Sequence, residues 1–266
     1  MISEDRKKYL KEIKVKKFTI SFFQFAILVI FIFVWEILGD TGTIDTFIMS
    51  QPSRIFDTLI NLSSNNLLTH ISVTTYETII GFLVGTILGT VIAIILWWSD
   101  YLSAIFEPYL VVLNSLPKVA LGPIIIIWVG AGTSAIIVMA VAISLVVTIL
   151  ENLNGFTKTD KELVKMAKTF NASKLQILTK IVIPSNINTF INSLKVNIGL
   201  SLVGVISGEF LVSKAGLGYL IVYGGQVFKL DLVMTSVLIL GILAGIMYGS
   251  VLLLEKIILK RRLKYR

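Results

Sequence analysis

The chain has 266 residues, of which 55% are hydrophobic and only 15% charged, and its mean hydropathy is +0.88. Ordinary soluble domains carry about 25% charged residues, so this composition cannot cover a core with a water-facing surface, and the apolar excess has to face a bilayer. With no cysteine and a single histidine, His70, disulfide frameworks, thiolate metal sites and histidine-rich metal sites are excluded.

The net charge of +8 is not spread as a nucleic-acid-binding face would have it. Nineteen of the 24 basic residues fall in three stretches: the first 17 residues, a central run from Lys158 to Lys180, and the last 11 residues. These stretches flank apolar runs, which is how lysine and arginine mark cytoplasmic loops.

A membrane span needs ~20 apolar residues, because ~1.5 Å per residue must cover ~30 Å of hydrocarbon. In chain order, Phe18–Trp35, Thr78–Ser99, Val119–Leu150 and Leu232–Leu254 contain no charge, and Ser185–Val212 is interrupted only by Lys195 and Glu209. The Val119–Leu150 run is too long for one span and breaks at Gly130-Ala131-Gly132. Six spans are predicted, at about 18–38, 72–98, 103–129, 133–153, 186–212 and 232–255. All must be helices, because lipid offers the backbone no partners. The first span has a basic front, but its apolar run is longer than a signal-peptide core and it is read as retained. The third is expected to be a broken helix, since Pro117, Lys118 and Pro123 interrupt it. Both basic termini, and the basic segment 154–185, then fall on the cytoplasmic side.

The chain accordingly divides into a basic cytoplasmic segment (1–17), a transmembrane domain (18–255, with a loop at about 154–185) and a basic cytoplasmic tail (256–266). The loop is the most informative segment. Leu163, Met166, Ala167 and Phe170 recur at helical spacing, with Lys161, Lys165 and Lys168 on the other face. Asp160 can cap the start of this helix and Asn171 can end it. A second amphipathic piece runs from Leu175 to the Pro184 break. Pattern alone fits either a helix lying on anionic lipid or a docking helix for a cytoplasmic partner.

This stretch resembles the EAA loop of ABC importer permeases: Glu-Ala-Ala, then Gly, then about nine residues to Ile-x-Leu-Pro. Here Lys165-Met166-Ala167, Asn171 and Ile181-Val182-Ile183-Pro184 occupy those places with the spacing kept. Lys165 reverses a charge. Asn171 replaces Gly, and Asn tolerates the left-handed backbone that such a turn uses. The runs LNSLPKVALGPIIIIWVGAG (113–132) and GEFLVSKAGLGYLI (208–221), and the Pro52-Ser53 pair ahead of an expected external helix, are similar to the nitrate/sulfonate/taurine branch. The resemblance covers about 47–262. One departure is Glu77, where that branch more often has a basic residue.

The resemblance implies an all-α membrane protein of six transmembrane helices, with a cytoplasmic coupling helix between spans four and five. It also implies a homodimeric pathway, a cytoplasmic ABC ATPase dimer beneath it and an external substrate-binding protein. Lys161, Glu162, Lys165, Met166, Ala167, Phe170, Asn171, Ala172, Ser173 and Pro184 are the expected coupling residues. Met166, Ala167 and Phe170 would form the apolar contact face and the lysines its rim. No phosphate-cradling Gly-x-x-x-x-Gly-Lys-Ser/Thr loop occurs, so ATP is expected on the partner and no cofactor in this chain.

Ionisable groups at membrane depth are costly and count as functional candidates. Pro117 and Lys118, at the break in span three, are read as pathway residues, with Lys118 suited to an anionic solute. Lys195 either snorkels to the interface or joins the pathway, and Glu209 is counted among the pathway residues, with a gating or packing role. Glu36, Glu77 and Glu107 are read as interfacial. Gly81, Gly85 and Gly89, and more loosely Gly199, Gly204 and Gly208, form small-residue faces for helix packing. An intramembrane enzyme is disfavoured, since no span pairs two aspartates and His70 lies near a span end. A channel or secondary transporter is the alternative, with no internal repeat to favour it.

Overall fold

The computed structural model describes residues 4–63 and 66–264, and every regular element among them is helical. The tips of the two basic terminal segments, 1–3 and 265–266, lie outside the described residues. The chain opens with α1 (Glu4–Asp40), followed by the short α2 (Thr46–Met49), whose start is capped by the Asp45 carboxylate. Next comes α3 (Pro52–Ser63), which begins on a proline at its first turn, where no amide hydrogen is needed. The long α4 (Leu67–Trp97) precedes α5 (Asp100–Ser115), a 3-10 turn at Lys118–Leu121 and α6 (Gly122–Val129). Then follow α7 (Thr133–Thr157), α8 (Lys161–Thr169), α9 (Lys174–Ile177), a π-helical turn at Leu178–Val182 and α10 (Ile183–Ser185). The chain closes with α11 (Ile187–Val212), α12 (Leu217–Gln226) and α13 (Leu230–Lys264).

Five of these helices are long and apolar enough to cross a membrane: α1 (from Lys11), α4, α7, α11 and α13 (to Lys260). The expected third span is α5 with the segment Lys118–Val129, and it bends by 88° where the prolines stand. Pro117 cannot donate a backbone hydrogen bond and the preceding Leu116 is extended (ψ 141°), so the helix stops there. Small residues fix how the helices run. A Cβ on Gly81 would lie 2.6 Å from the Ala140 methyl and one on Gly89 2.7 Å from Thr148 Cβ, while one on Gly85 would strike the Ser144 hydroxyl. Numbering rises together on both sides, so α4 and α7 run parallel. Gly204 and Gly208 meet Ala140 and Ile136, so α11 runs antiparallel to them. Two parallel helices cannot be joined by a tight turn; the bent α5–α6 pair is the crossover that carries the chain back along the bundle. Gly199, expected on the same face of α11, has nothing within 4 Å and takes no part in this packing.

Polar side chains tie the same helices inside the apolar bundle. Asn152 donates to Thr90 at 3.1 Å (α7 to α4), Asn197 donates to Thr86 (α11 to α4), and Thr74 donates to Glu209 at 2.6 Å (α4 to α11). Each gives a buried donor the partner that lipid would not supply, although the Asn152 and Asn197 side-chain oxygens stay unpaired. By contrast, no residue in the most apolar stretch of α1 is buried in this chain. It is held near its end, where the Trp35 indole donates to the Ser50 carbonyl at 3.3 Å and Glu36 accepts from the Ser53 amide at 3.0 Å.

Candidate functional site

The α8 segment sits at the end of the bundle where α4 and α7 finish. Asp160 caps it, accepting from the Glu162 amide at 2.8 Å. It ends because Asn171 takes φ 55°, the left-handed conformation expected for the residue in the glycine place, and the Ala172 amide reaches back to the Ala167 carbonyl at 3.0 Å. Ser173 then starts α9 with a reciprocal capping box to Gln176. Asn186 bonds the Thr159 hydroxyl at 2.7 Å and the Val182 carbonyl at 2.8 Å, closing the loop onto the base of α11. Pro184 stands at the start of α10, directly after the π-helical turn.

The expected contact face of α8 divides. Ala167 does not share an outward face with Met166 and Phe170. It is 8% exposed and packs into this chain's own core with Leu96, Phe156, Ile177 and Val182, beside the partly buried Val164 and Ala172. A nine-residue helix can present one apolar edge inward and the next outward. The outward edge is Leu163, Met166 and Phe170, with Met166 50% and Phe170 80% exposed. The lysines flank it unevenly. Lys161, Lys165 and Lys168 line a recess of about 680 Å³ beside α5, together with Lys174, Asp100 and Glu107. Lys165 pairs with Glu162 at 3.1 Å, and Lys174 donates to the Trp98 carbonyl.

The four pathway candidates separate. Pro117 and Lys118 stand at the exposed bend, where Lys118 Nζ donates to the Asn114 side chain at 3.1 Å and forms no ion pair among the described residues. Lys195 is not a free cation, because Glu255 on α13 neutralises it at 2.8 Å. Glu209 is enclosed within this chain. It is 1% exposed at the opposite end of the bundle from α8, where one carboxylate oxygen accepts from Thr74 and the other from the Gly218 amide, both at 2.6 Å. Gly218 belongs to the first turn of α12, so Glu209 anchors that helix by its N-terminus. Gly216 leaves the space, since a Cβ there would strike the carboxylate. Thr74 in turn accepts from the Leu217 amide at 2.8 Å, and His70 Nδ1 from the Gly216 amide at 3.0 Å.

Sequence reasoning missed Glu77. It was expected at an interface, yet it is fully buried one turn past Thr74, facing Glu209. The signal was present in the spacing: Thr74, Glu77 and Thr78 fall on the same face of α4 as the packing glycine Gly81.

Comparison with known proteins follows the same lines. The chain is 28% identical over 222 residues to a probable ABC transporter permease protein of Haemophilus influenzae, covering 84% of this chain and 90% of that protein. It is 24% identical over 237 residues to the putative aliphatic sulfonates transport permease protein SsuC of Bacillus subtilis (89% and 86% covered). It is 25% identical over 231 residues to the formylaminopyrimidine transport permease protein ThiX of Halalkalibacterium halodurans (87% and 92%). In fold it is similar to a chain of the MetNI methionine ABC transporter in an inward-facing conformation, with a TM-score of 0.63 at 17% identity, covering 70% of this chain and 92% of that one. Residues 81–264 match the family of binding-protein-dependent transport system inner membrane components, and the chain belongs to that family, as a multi-pass permease subunit of an ABC importer.

Proposed function

We propose that α8 is the coupling element for a separate cytoplasmic ABC ATPase, and that Leu163, Met166 and Phe170 are the side chains that enter it. The observation that carries this is the division of α8: Ala167 and Val164 seat it on the bundle, while Phe170 stands 80% exposed at its edge. Apolar and aromatic side chains suit an interface core and lysines its rim. Orientation follows from the basic termini, which place the α8 end and both chain ends in the bacterial cytoplasm. ATP binds the partner and this chain carries no cofactor. Two copies of the chain form the pathway, and a substrate-binding protein delivers the solute on the far side. The bend at Pro117–Lys118 is the part of the pathway where a cation is available, and it suits a small anionic or zwitterionic solute. The names of the SsuC and ThiX relatives fit a sulfonate or a vitamin precursor.

The test is co-purification of the permease with its ATPase in mild detergent, comparing wild type with Met166→Asp and Phe170→Asp. Loss of the ATPase in both variants, with the permease still folded and membrane-inserted, is the expected result. Retention of the ATPase in both overturns the assignment, and α8 then becomes a lipid-surface helix.

A further inference from the structure

At the end of the bundle opposite α8, two carboxylates face each other with no cation between them. Glu77 is 0% exposed and Glu209 1% exposed. The three ion pairs among the described residues are Arg54–Asp231, Lys165–Glu162 and Lys195–Glu255, so neither carboxylate has a basic partner. Their hydrogen bonds are unequal. Both oxygens of Glu209 accept from committed donors, the Thr74 hydroxyl and the Gly218 amide, at the N-terminus of α12. The Thr74 hydroxyl is fixed in that role because its own oxygen accepts from the Leu217 amide. Neither oxygen of Glu77 completes a hydrogen bond in this geometry, and the groups it faces are the Glu209 carboxyl and the Thr133 hydroxyl of α7.

Two negative charges in contact in a dry site repel strongly, and such pairs hold one proton between them. Donors favour the ionised form, so Glu209 is the carboxylate and Glu77 the acid. We infer that Glu77 and Glu209 form a proton-binding site, in which the Glu77 carboxylic acid donates to the Glu209 carboxylate and so joins α4, α11 and α12. The groups around the pair agree. α4 adds His70, whose Nδ1 accepts from Gly216 and whose ring stacks on Tyr219 of α12; α7 adds only the Thr133 hydroxyl; and Lys214, in the α11–α12 connection, is exposed and pairs with neither carboxylate. The bound proton is lost to solvent at high pH, when the pair becomes doubly negative and the joint opens. Nothing in this inference depends on how α8 is used.

The experiment uses the full-length chain in lipid nanodiscs, with infrared spectroscopy and thermal melting as a function of pH and sodium. Wild type is expected to show a protonated-carboxyl stretching band at neutral pH that disappears on alkalinisation. Its melting temperature should fall by several degrees in the same interval, because the native state holds a proton that the unfolded chain has released. Glu77→Gln replaces the acid by an amide that still donates to Glu209, so the band should vanish while melting stays near the wild-type maximum and becomes flat with pH. Glu77→Lys supplies a fixed cation and should also melt independently of pH. The inference is overturned if the band persists unchanged in Glu77→Gln, or if neither variant folds, since both restore charge balance. It is equally overturned if wild type lacks the band and is stabilised by sodium at constant pH, which assigns the site to a metal cation.

Discussion

At the α8 end of the bundle the joint is apolar. Ala93, Leu96, Ile149, Leu153, Phe156, Ala167 and Val182 pack together, and the polar groups nearby sit around this core, in the caps, the loop closure at Asn186, the Asn152–Thr90 bond and the lysine-lined recess. At the other end, α12 is held by the Glu209 carboxylate, the Thr74 hydroxyl and the His70 ring, with Glu77 buried behind them. Apolar packing transmits a push and tolerates small repacking, whereas a buried hydrogen-bonded network holds one geometry or none. The first end can repack under load, and the second keeps α12 in a single place.

Substitutions can break this contrast. Glu209→Ala should have the largest effect, because it strands the Gly218 amide and the Thr74 hydroxyl in a dry site; a loss of about 3 kcal/mol is expected in denaturant unfolding of the solubilised protein. Gly204→Val comes next. It forces a side chain against the Ala140 backbone, and overpacking of this kind costs about 2 kcal/mol, read as a lower melting temperature. Lys195→Met removes an ion pair whose side chains keep 18% and 25% of their exposure. It should cost about 1 kcal/mol by the same measurement, and a far larger loss would mean that Glu255 is more enclosed than its exposure indicates. Phe170→Asp should leave stability within about 0.5 kcal/mol while abolishing ATPase recovery. If it melts like Glu209→Ala, the α8 end is no more tolerant than the other and the contrast fails.

The apolar end was the legible one. Hydropathy placed the spans with their ends within about two helical turns, and the helical spacing of Leu163, Met166 and Phe170 marked α8. Resemblance to the EAA pattern supplied the turn at Asn171, which the φ of 55° bears out. Ala167 was misassigned because a short amphipathic helix has two edges, and periodicity does not say which one its own bundle claims; Val164, one turn before, was the overlooked clue. The polar end was hidden for a different reason. The expected second span begins near residue 72, whereas α4 begins at Leu67. Thr69 and His70 lower the local hydropathy without interrupting the helix, and those extra residues carry Glu77 from a supposed interface to more than two turns inside. Lys195 meets Glu255 from 60 residues away, and no local pattern encodes such a pair. The prolines announced a break in the third span, but not its 88° angle.

Ala140 lies between Gly81 on one side and Gly204 on the other, with no room for a second methyl on either. Helices seated this closely have no slack in which to slide past one another, so α4, α7 and α11 behave as a keel. Any movement that opens or shuts the subunit turns the keel as a whole. The parts left to change their neighbours lie outside it, the bent α5–α6 crossover and α1 among them. If α8 takes a partner's force as proposed, a push at Phe170 reaches Glu209 as a rotation, along the length of the bundle and undiminished by shear between its helices.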